Sequence, residues 1–247
     1  MRPSHTSAWR ENFSGVRLVS LGVAAALSLV SVTPALAQRA GSRIGRDATK
    51  NDGDTAIRLI AECYYSRNSK SVVTWLNMVP GQPAERALLS HDADNLSPCL
   101  DSQQIVFDNK QVGFQPRVLR GPVGAAMARK LLLRHPNPPA PDADAKPWFY
   151  AALAKMQPGE YRDNQSLAVQ EFGHCVAVAR WNESLALIKS DDGSPEEKAA
   201  VDGLIPALSG CLANGTQIKI TRRNLRNIIG EPVYHLLLAA TPSGEKA

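Results

Sequence analysis

Four arginines, spaced in the same way in two parts of the chain, are the residues most able to bind an anion. The motif Arg-x-Leu-Arg occurs at Arg117 to Arg120 and again at Arg223 to Arg226. Residues three apart lie on neighbouring turns of one helix face, so each motif places two guanidinium groups on the same side. Guanidinium groups bind carboxylates and phosphates through paired hydrogen bonds. The motifs therefore predict a paired basic face for an anionic partner.

A structural role for the same arginines is the alternative. Glu85 and Glu197 also recur between the two parts of the chain. Each could form an internal ion pair, Arg120 with Glu85 and Arg226 with Glu197. Retention of both members in both parts suits a role in maintaining the fold.

The histidines offer less chemistry. His91 lies in Ser-His-Asp-Ala-Asp, but Gly203 takes its place in the second part, and His235 follows Tyr234 on an apolar segment. The chain has no nucleophile elbow, zinc-protease motif, phosphate-binding loop or dinucleotide fingerprint. We therefore expect no metal and no cofactor. An enzyme, such as a hydrolase that uses His91 or His235 in a cleft, remains an alternative.

The two parts of the chain are related in sequence. When Cys175 is aligned with Cys63, 9 of the 38 positions up to Leu100 are identical, where ordinary composition would give about two or three. Among the matches is Gly-x-Pro-x-Glu-x-Ala, which begins at Gly81 and at Gly193. The spacing predicts a tandem duplication of a unit of roughly 80 residues.

All four cysteines follow the same pattern. Cys63 and Cys99 fall in the first unit, and Cys175 and Cys211 fall in the second at the same separation. Four cysteines allow three pairings. A unit that existed before it was duplicated needed its own bridge, which favours Cys63–Cys99 and Cys175–Cys211. Metal-binding or catalytic thiols are the alternative, but the wide spacing and the lack of Cys-x-x-Cys disfavour them.

The amino terminus is typical of a secretory signal peptide. Arg2, Arg10 and Arg17 precede an apolar run, and Ala35-Leu36-Ala37 supplies a cleavage site. The run is shorter than the ~20 residues needed to span a bilayer. Removing residues 1–37 leaves 25 Lys and Arg against 22 Asp and Glu, a balance too mild to indicate a nucleic-acid partner. We predict an exported, periplasmic or extracellular protein whose mature chain has no transmembrane segment.

Hydrophobic periodicity predicts a mainly α protein of two disulfide-bonded helical units. Each unit closes with an arginine-bearing helix, over about 117–133 and 222–240. Alternation at 111–115 and 217–221 indicates a short two-stranded β ribbon. The predicted organisation is a signal peptide (1–37), a mobile lead-in (38–53), unit one (54–134), a Pro-rich linker with a short aromatic helix (135–161), unit two (162–241) and a tail (242–247).

Cys-Leu, followed by Gln-Ile-x-Ile and then Leu-Arg-x-x-x-Gly, gives the only family likeness. The pattern resembles uncharacterised exported bacterial proteins that carry paired cysteines and a Leu-Arg-Gly helix. The first unit keeps Leu119-Arg120-Gly121, whereas the second has Leu225-Arg226-Asn227. The resemblance implies no activity or ligand.

Together these patterns predict a non-enzymatic binding or interaction module of the cell envelope. Its partner is unknown, but an anionic envelope component or protein fits the repeated arginines. A purely structural envelope protein and the cleft enzyme are the alternatives.

Overall fold

The structure, a computed structural model, describes residues 50–102, 116–157, 163–212, 218 and 220–241. These residues are mainly helical, and among them there is no β-strand. The helices are α1 (Lys50–Arg67), α2 (Ser69–Leu76), α3 (Pro83–His91), α4 (Ala93–Ser102), α5 (Pro116–Arg134), α6 (Tyr150–Leu153), α7 (Asn164–Ala179), α8 (Trp181–Lys189), α9 (Pro195–Cys211) and α10 (Arg222–Ala240).

Several predictions fall outside the described residues. They are the signal peptide, the tail after residue 241, the first strand of the ribbon and most of the lead-in. Of the second strand, Ile218, Ile220 and Thr221 are described, and none of the three is in a strand. Helix α1 begins at Lys50, within the predicted lead-in and earlier than the predicted start near Asp54.

Local sequence signals explain where several helices begin. Asp163 accepts a hydrogen bond from the Ser166 amide before α7, and Ser194 accepts one from the Glu197 amide before α9. Thr221 and Asn224 form a capping box at the start of α10. Helix α10 therefore begins where the sequence predicts, at the residue that follows the Thr cap.

The two related stretches of sequence, residues 54–134 and 162–241, differ in their third helix. In the second stretch α9 runs without interruption from Pro195 to Cys211. In the first stretch the chain breaks at Asp92 into α3 and α4. Asp92 is buried there, and its carboxylate accepts hydrogen bonds from the hydroxyls of Tyr64 and Ser71. The first stretch thus has two helices where the second has one, because a buried polar group at this point takes its partners from α1 and α2.

Both predicted disulfides are confirmed. Cys63–Cys99 joins α1 to α4, and Cys175–Cys211 joins α7 to α9, each across a sequence separation of 36 residues. Each bridge closes a loop whose constraint is worth about 4 kcal/mol in the chain-entropy model. The bridges therefore fix the first helix of each stretch against the segment that precedes its arginine helix.

Helices α5 and α10 cross at a contact that only glycine permits. A Cβ on Gly121 would lie 2.1 Å from the Asn227 carbonyl oxygen, and one on Gly124 would lie 2.5 Å from the Cα of Glu231. A Cβ on Gly230 would lie 2.7 Å from the Gly121 oxygen. This close approach brings the arginine-bearing segments of the two helices beside each other. Buried side chains of both stretches then share one hydrophobic core.

The segment between the two stretches is held by its aromatic residues. Phe149 is buried against Val79 and Leu167, which come from different stretches. Trp148 stacks on the His235 ring with 4.1 Å between ring centroids. The Tyr150 hydroxyl donates a hydrogen bond of 3.0 Å to Glu171. The three consecutive aromatics therefore face three different neighbours.

Candidate functional site

Arg120 lies in the centre of a buried charge cluster. Its side chain is 2% exposed, and its guanidinium contacts two carboxylates, those of Glu85 and Glu231. The Nε atom lies 2.7 Å from both carboxylate oxygens of Glu231. Glu85 and Glu231 are equally buried. A single guanidinium thus pairs with two buried carboxylates.

The remaining donors of Arg120 bind the end of α2. Nη2 donates to the carbonyl oxygens of Leu76 and Met78 at 2.8 Å, and Nη1 donates to that of Trp75 at 3.3 Å. Carbonyl groups at a helix carboxyl terminus lack helical partners and favour a nearby cation. All three nitrogens of the guanidinium are therefore engaged inside the fold.

Gln170 completes the cluster from α7. Its Nε2 donates to Glu231 at 2.9 Å, while its Oε1 is buried and has no hydrogen-bond partner. Because a carboxylate only accepts hydrogen bonds, this contact fixes which end of the amide faces Glu231. We call Arg120, Glu85, Glu231 and Gln170 the first arginine site.

Burial changes the titration of the first arginine site. Desolvation raises the pKa of Glu85 to about 7, even though Arg120 and the Gly81 amide act in the opposite direction. Glu231 and Asp163 add to the rise through their negative charge. With both glutamates ionised the site carries a net charge of −1, and protonation of Glu85 would neutralise it.

Arg226 is also buried, at 6% exposed, but it forms a second site whose acidic side chains are more accessible. It donates to Glu197 at 2.7 Å and to the Ser190 carbonyl at 2.7 Å, and it lies 3.3 Å from Asp192. Glu197 and Asp192 keep 21% and 30% of their side-chain surface exposed. Arg58 of α1 donates to Asp192 at 2.9 Å. We call Arg226, Glu197, Asp192 and Arg58 the second arginine site.

Both internal ion pairs that the sequence allows are present, Arg120 with Glu85 and Arg226 with Glu197. The side chains of Arg117 and Arg223 lie outside the described part of the structure. The binding role predicted for the four arginines stays a prediction. Their two described members direct their guanidinium groups to partners within the protein.

The histidines do not gather at one reactive centre. His91 is exposed, with its Nδ1 3.6 Å from Asp92. His235 is buried, its Nε2 lies 3.1 Å from the Leu76 carbonyl, and burial lowers its pKa. Burial also lowers the pKa of His174, whose Nε2 faces the Ala145 carbonyl at 2.8 Å. Among the described residues no group of three His, Cys, Asp or Glu side chains is placed to hold a metal ion.

A groove of about 560 Å³ lies on a different face, between α2, the carboxyl-terminal half of α5, and α10. Its apolar lining is Val73, Met127, Leu131 and Leu238. Its cationic lining is Lys70, Lys130 and Arg134, and no described lining residue is acidic. We call this surface the basic groove.

The walls of the basic groove also carry aromatic rings. Tyr65 and Tyr234 line it, and the Lys130 ammonium lies 4.7 Å from the centroid of the Tyr65 ring. A cation over an aromatic face is held in place by the ring quadrupole. The spacing of Met127, Lys130, Leu131 and Arg134 along α5 is that of one helix face, a signal that could have located the groove.

Among the described helices, none is both long and apolar enough to cross a bilayer. No protein-family model, curated protein or solved structure matches the chain. The resemblance to exported bacterial proteins therefore stays a prediction.

Proposed function

We propose that this chain is an exported, non-enzymatic binding protein of the cell envelope, and that it holds a long-chain fatty acid in the basic groove. The observation that carries the proposal is the pairing of an apolar lining with three cationic side chains and no described acidic one. The groove volume falls within the range of small-molecule sites.

The chemistry of the groove favours an amphiphile with a single negative charge. Burying an alkyl chain against Val73, Met127 and Leu131 contributes about 0.8 kcal/mol for each methylene removed from water. A carboxylate at the end of that chain would lie near Lys70 or Lys130. An uncharged chain would gain the first contribution only, so the basic side chains provide selectivity for acids.

Export and duplication complete the proposal. The predicted signal peptide, together with two disulfides, favours an oxidising compartment outside the cytoplasm. A common helix order supports duplication, as does the recurrence of a positive-φ glycine before each repeated glutamate, at Gly81 and Gly193. The family resemblance remains part of this proposal.

Competition with a fluorescent fatty acid tests the groove. The purified, oxidised protein is loaded with cis-parinaric acid and titrated with palmitate, and hexadecanol serves as the uncharged match of the same chain length. We expect palmitate to displace the probe at least tenfold more effectively than hexadecanol. Failure of palmitate to displace it, or equal displacement by the alcohol, would overturn the proposal.

Two variants assign the effect to the groove. Lys70→Gln combined with Lys130→Gln should weaken palmitate binding about tenfold, since two charge contacts of about 0.7 kcal/mol each are lost. Lys198→Gln, on the exposed surface of α9, is the matched control and should bind as the unmodified protein does. An equal loss in the control would show that net charge, and not the groove, governs binding.

A further inference from the structure

A second cleft, of about 300 Å³, opens beside the first arginine site. Glu85, Arg120 and Gln170 form its charged and polar base, and Gln165 and Ser166 at the start of α7 form part of its wall. The cleft is separate from the basic groove, with which it shares no lining residue.

The base of this cleft offers hydrogen-bond acceptors. The guanidinium of Arg120 uses its nitrogens on two carboxylates and three carbonyl groups, so it has no donor to spare for a bound anion. Glu85 accepts from Arg120 and from the Gly81 amide, which leaves acceptor capacity on its carboxylate. The Oε1 atom of Gln170, a residue 94% buried, has no hydrogen-bond partner. A ligand suited to this base must donate hydrogen bonds.

The charge of the first arginine site points to a cationic donor. Two carboxylates face one guanidinium, which leaves one negative charge uncompensated when both are ionised. His235 lies 3.8 Å from Glu231 but is neutral above pH 6.5, because burial lowers its pKa. The second arginine site supplies its extra cation from within the chain. Aligning Cys63 with Cys175 places Arg58 opposite Gln170, and the Arg58 guanidinium donates to Asp192. The first site has an amide where the second has a cation.

We propose that the cleft beside Glu85 binds the ammonium group of a small primary amine, which supplies the first arginine site with the cation that Arg58 supplies to the second. The ammonium donates to the Glu85 carboxylate, and its charge balances the excess of carboxylates in the first site. A shift of the Gln170 side chain lets its Oε1 accept one of the remaining N–H groups, which removes an unpaired buried acceptor.

The protonation of Glu85 makes this binding dependent on pH. Its pKa is raised to about 7 by burial, with Glu231 and Asp163 acting in the same direction and Arg120 against them. A bound cation favours the ionised carboxylate and so releases a proton from Glu85 below pH 7. Affinity for an alkylammonium ion, which stays charged throughout, should therefore rise about tenfold between pH 6 and pH 8.

Isothermal titration with n-butylammonium at pH 8 tests the proposal. Tetramethylammonium carries the same charge without an N–H donor, and n-butanol carries a donor without a charge. We expect a dissociation constant for n-butylammonium at least tenfold below those of both controls. No binding of n-butylammonium, or equal binding of tetramethylammonium, would overturn the assignment.

Substitutions on both sites locate the amine. Glu85→Gln should weaken n-butylammonium binding at least tenfold, and Gln170→Arg should abolish it by placing a guanidinium in the cleft. Glu197→Gln, in the second arginine site, is the matched control and should leave affinity unchanged. Gln170→Arg keeps Glu85 in place, so the test stands even if Glu85→Gln fails to fold. Unchanged binding in a folded Gln170→Arg protein would contradict the proposal, whatever the result for fatty acids in the basic groove.

Discussion

The two arginine sites are built on the same frame but differ in access to water. In both, an arginine early in a long helix reaches the carbonyl end of a shorter helix, Met78 for Arg120 and Ser190 for Arg226. In both, it also meets a glutamate that follows a positive-φ glycine. The acids of the first site are almost fully buried, whereas those of the second keep about a quarter of their surface exposed. The same local motif thus pairs one arginine with buried acidic side chains and the other with acidic side chains that contact water.

The charges that complete each site come from the helices packed against it. Glu231 on α10 adds a carboxylate to the first site, and Arg58 on α1 adds a cation to the second. In a dry environment an uncompensated charge is costly, whereas water screens the same imbalance at an exposed site. We therefore expect the first site to depend strongly on each of its members and the second to depend less on any one.

Removing each arginine in turn should give the largest contrast. Arg120→Gln leaves Glu85 and Glu231 buried without their cation and should lower the free energy of unfolding by about 3–5 kcal/mol. Arg226→Gln should lower it by about 1–2 kcal/mol, since Glu197 and Asp192 can turn toward water while the buried Ser190 loses a donor. Urea unfolding of the oxidised proteins at pH 7 measures both values. Equal losses would show that burial does not distinguish the two sites.

The pH dependence of stability should isolate Glu85. Its pKa is about 7 in the folded protein and 4.5 in the unfolded chain, so the folded state binds more protons between these values. The contribution of Glu85 is therefore complete below about pH 4.5 and is lost as pH rises to 7, by on the order of 3 kcal/mol.

Subtracting the pH dependence of the unfolding free energy of Glu85→Gln from that of the unmodified protein removes the titrating groups that do not interact with Glu85. The histidines require this step, because the lowered pKa values of His174 and His235 make stability fall as pH drops below 6.5. The difference in unfolding free energy should decline from pH 4.5 to 7 and then level off. A difference that does not change with pH would mean that the pKa of Glu85 is not raised. Glu197→Gln is the matched control and should retain the Glu85-dependent decline.

Features encoded within one stretch could be predicted from the sequence. The two disulfides follow from a repeated spacing, and the pairs Arg120–Glu85 and Arg226–Glu197 follow from the joint recurrence of their members. The helix that begins at Arg222 follows from its hydrophobic periodicity. In each case the partners lie within one repeat, so that comparing the copies reveals them.

Features that are present in only one copy, or that depend on packing between the stretches, were missed. Glu231 lies 111 residues from Arg120, and the aligned position in the first stretch is Ala125, so the repeat offers no hint of it. The break at Asp92 is equally local to one copy, since Leu204 takes its place in the other. For Glu231 the available signal was a single acidic residue in the apolar middle of α10, between Ile228 and Val233, because a buried charge requires a partner.

The contact between the two arginine helices offers the next test. Gly121 and Asn227 each follow an arginine and face each other across the helix crossing. Gly121→Ala places a methyl group 2.1 Å from the Asn227 carbonyl oxygen, so the backbones must separate. We expect a loss of about 1–3 kcal/mol in unfolding free energy.

Gly210→Ala is the matched control for that substitution. Gly210 lies within α9, and a Cβ there meets nothing within 4 Å. The change should raise stability by up to about 1 kcal/mol through helix propensity. A gain from Gly121→Ala as well would mean that the crossing is looser than its geometry indicates.

Arg58→Gln should have the smallest effect. It tests the comparison directly, because it gives the second site a glutamine at the position that Gln170 has in the first site. Arg58 is partly exposed, and its acceptor Asp192 keeps contact with water. We expect a loss below about 1 kcal/mol, further reduced at high salt. Urea unfolding at low and at 1 M salt measures it. A loss as large as that of Arg120→Gln would mean that the exposure of Asp192 and Glu197 does not explain why the two sites differ.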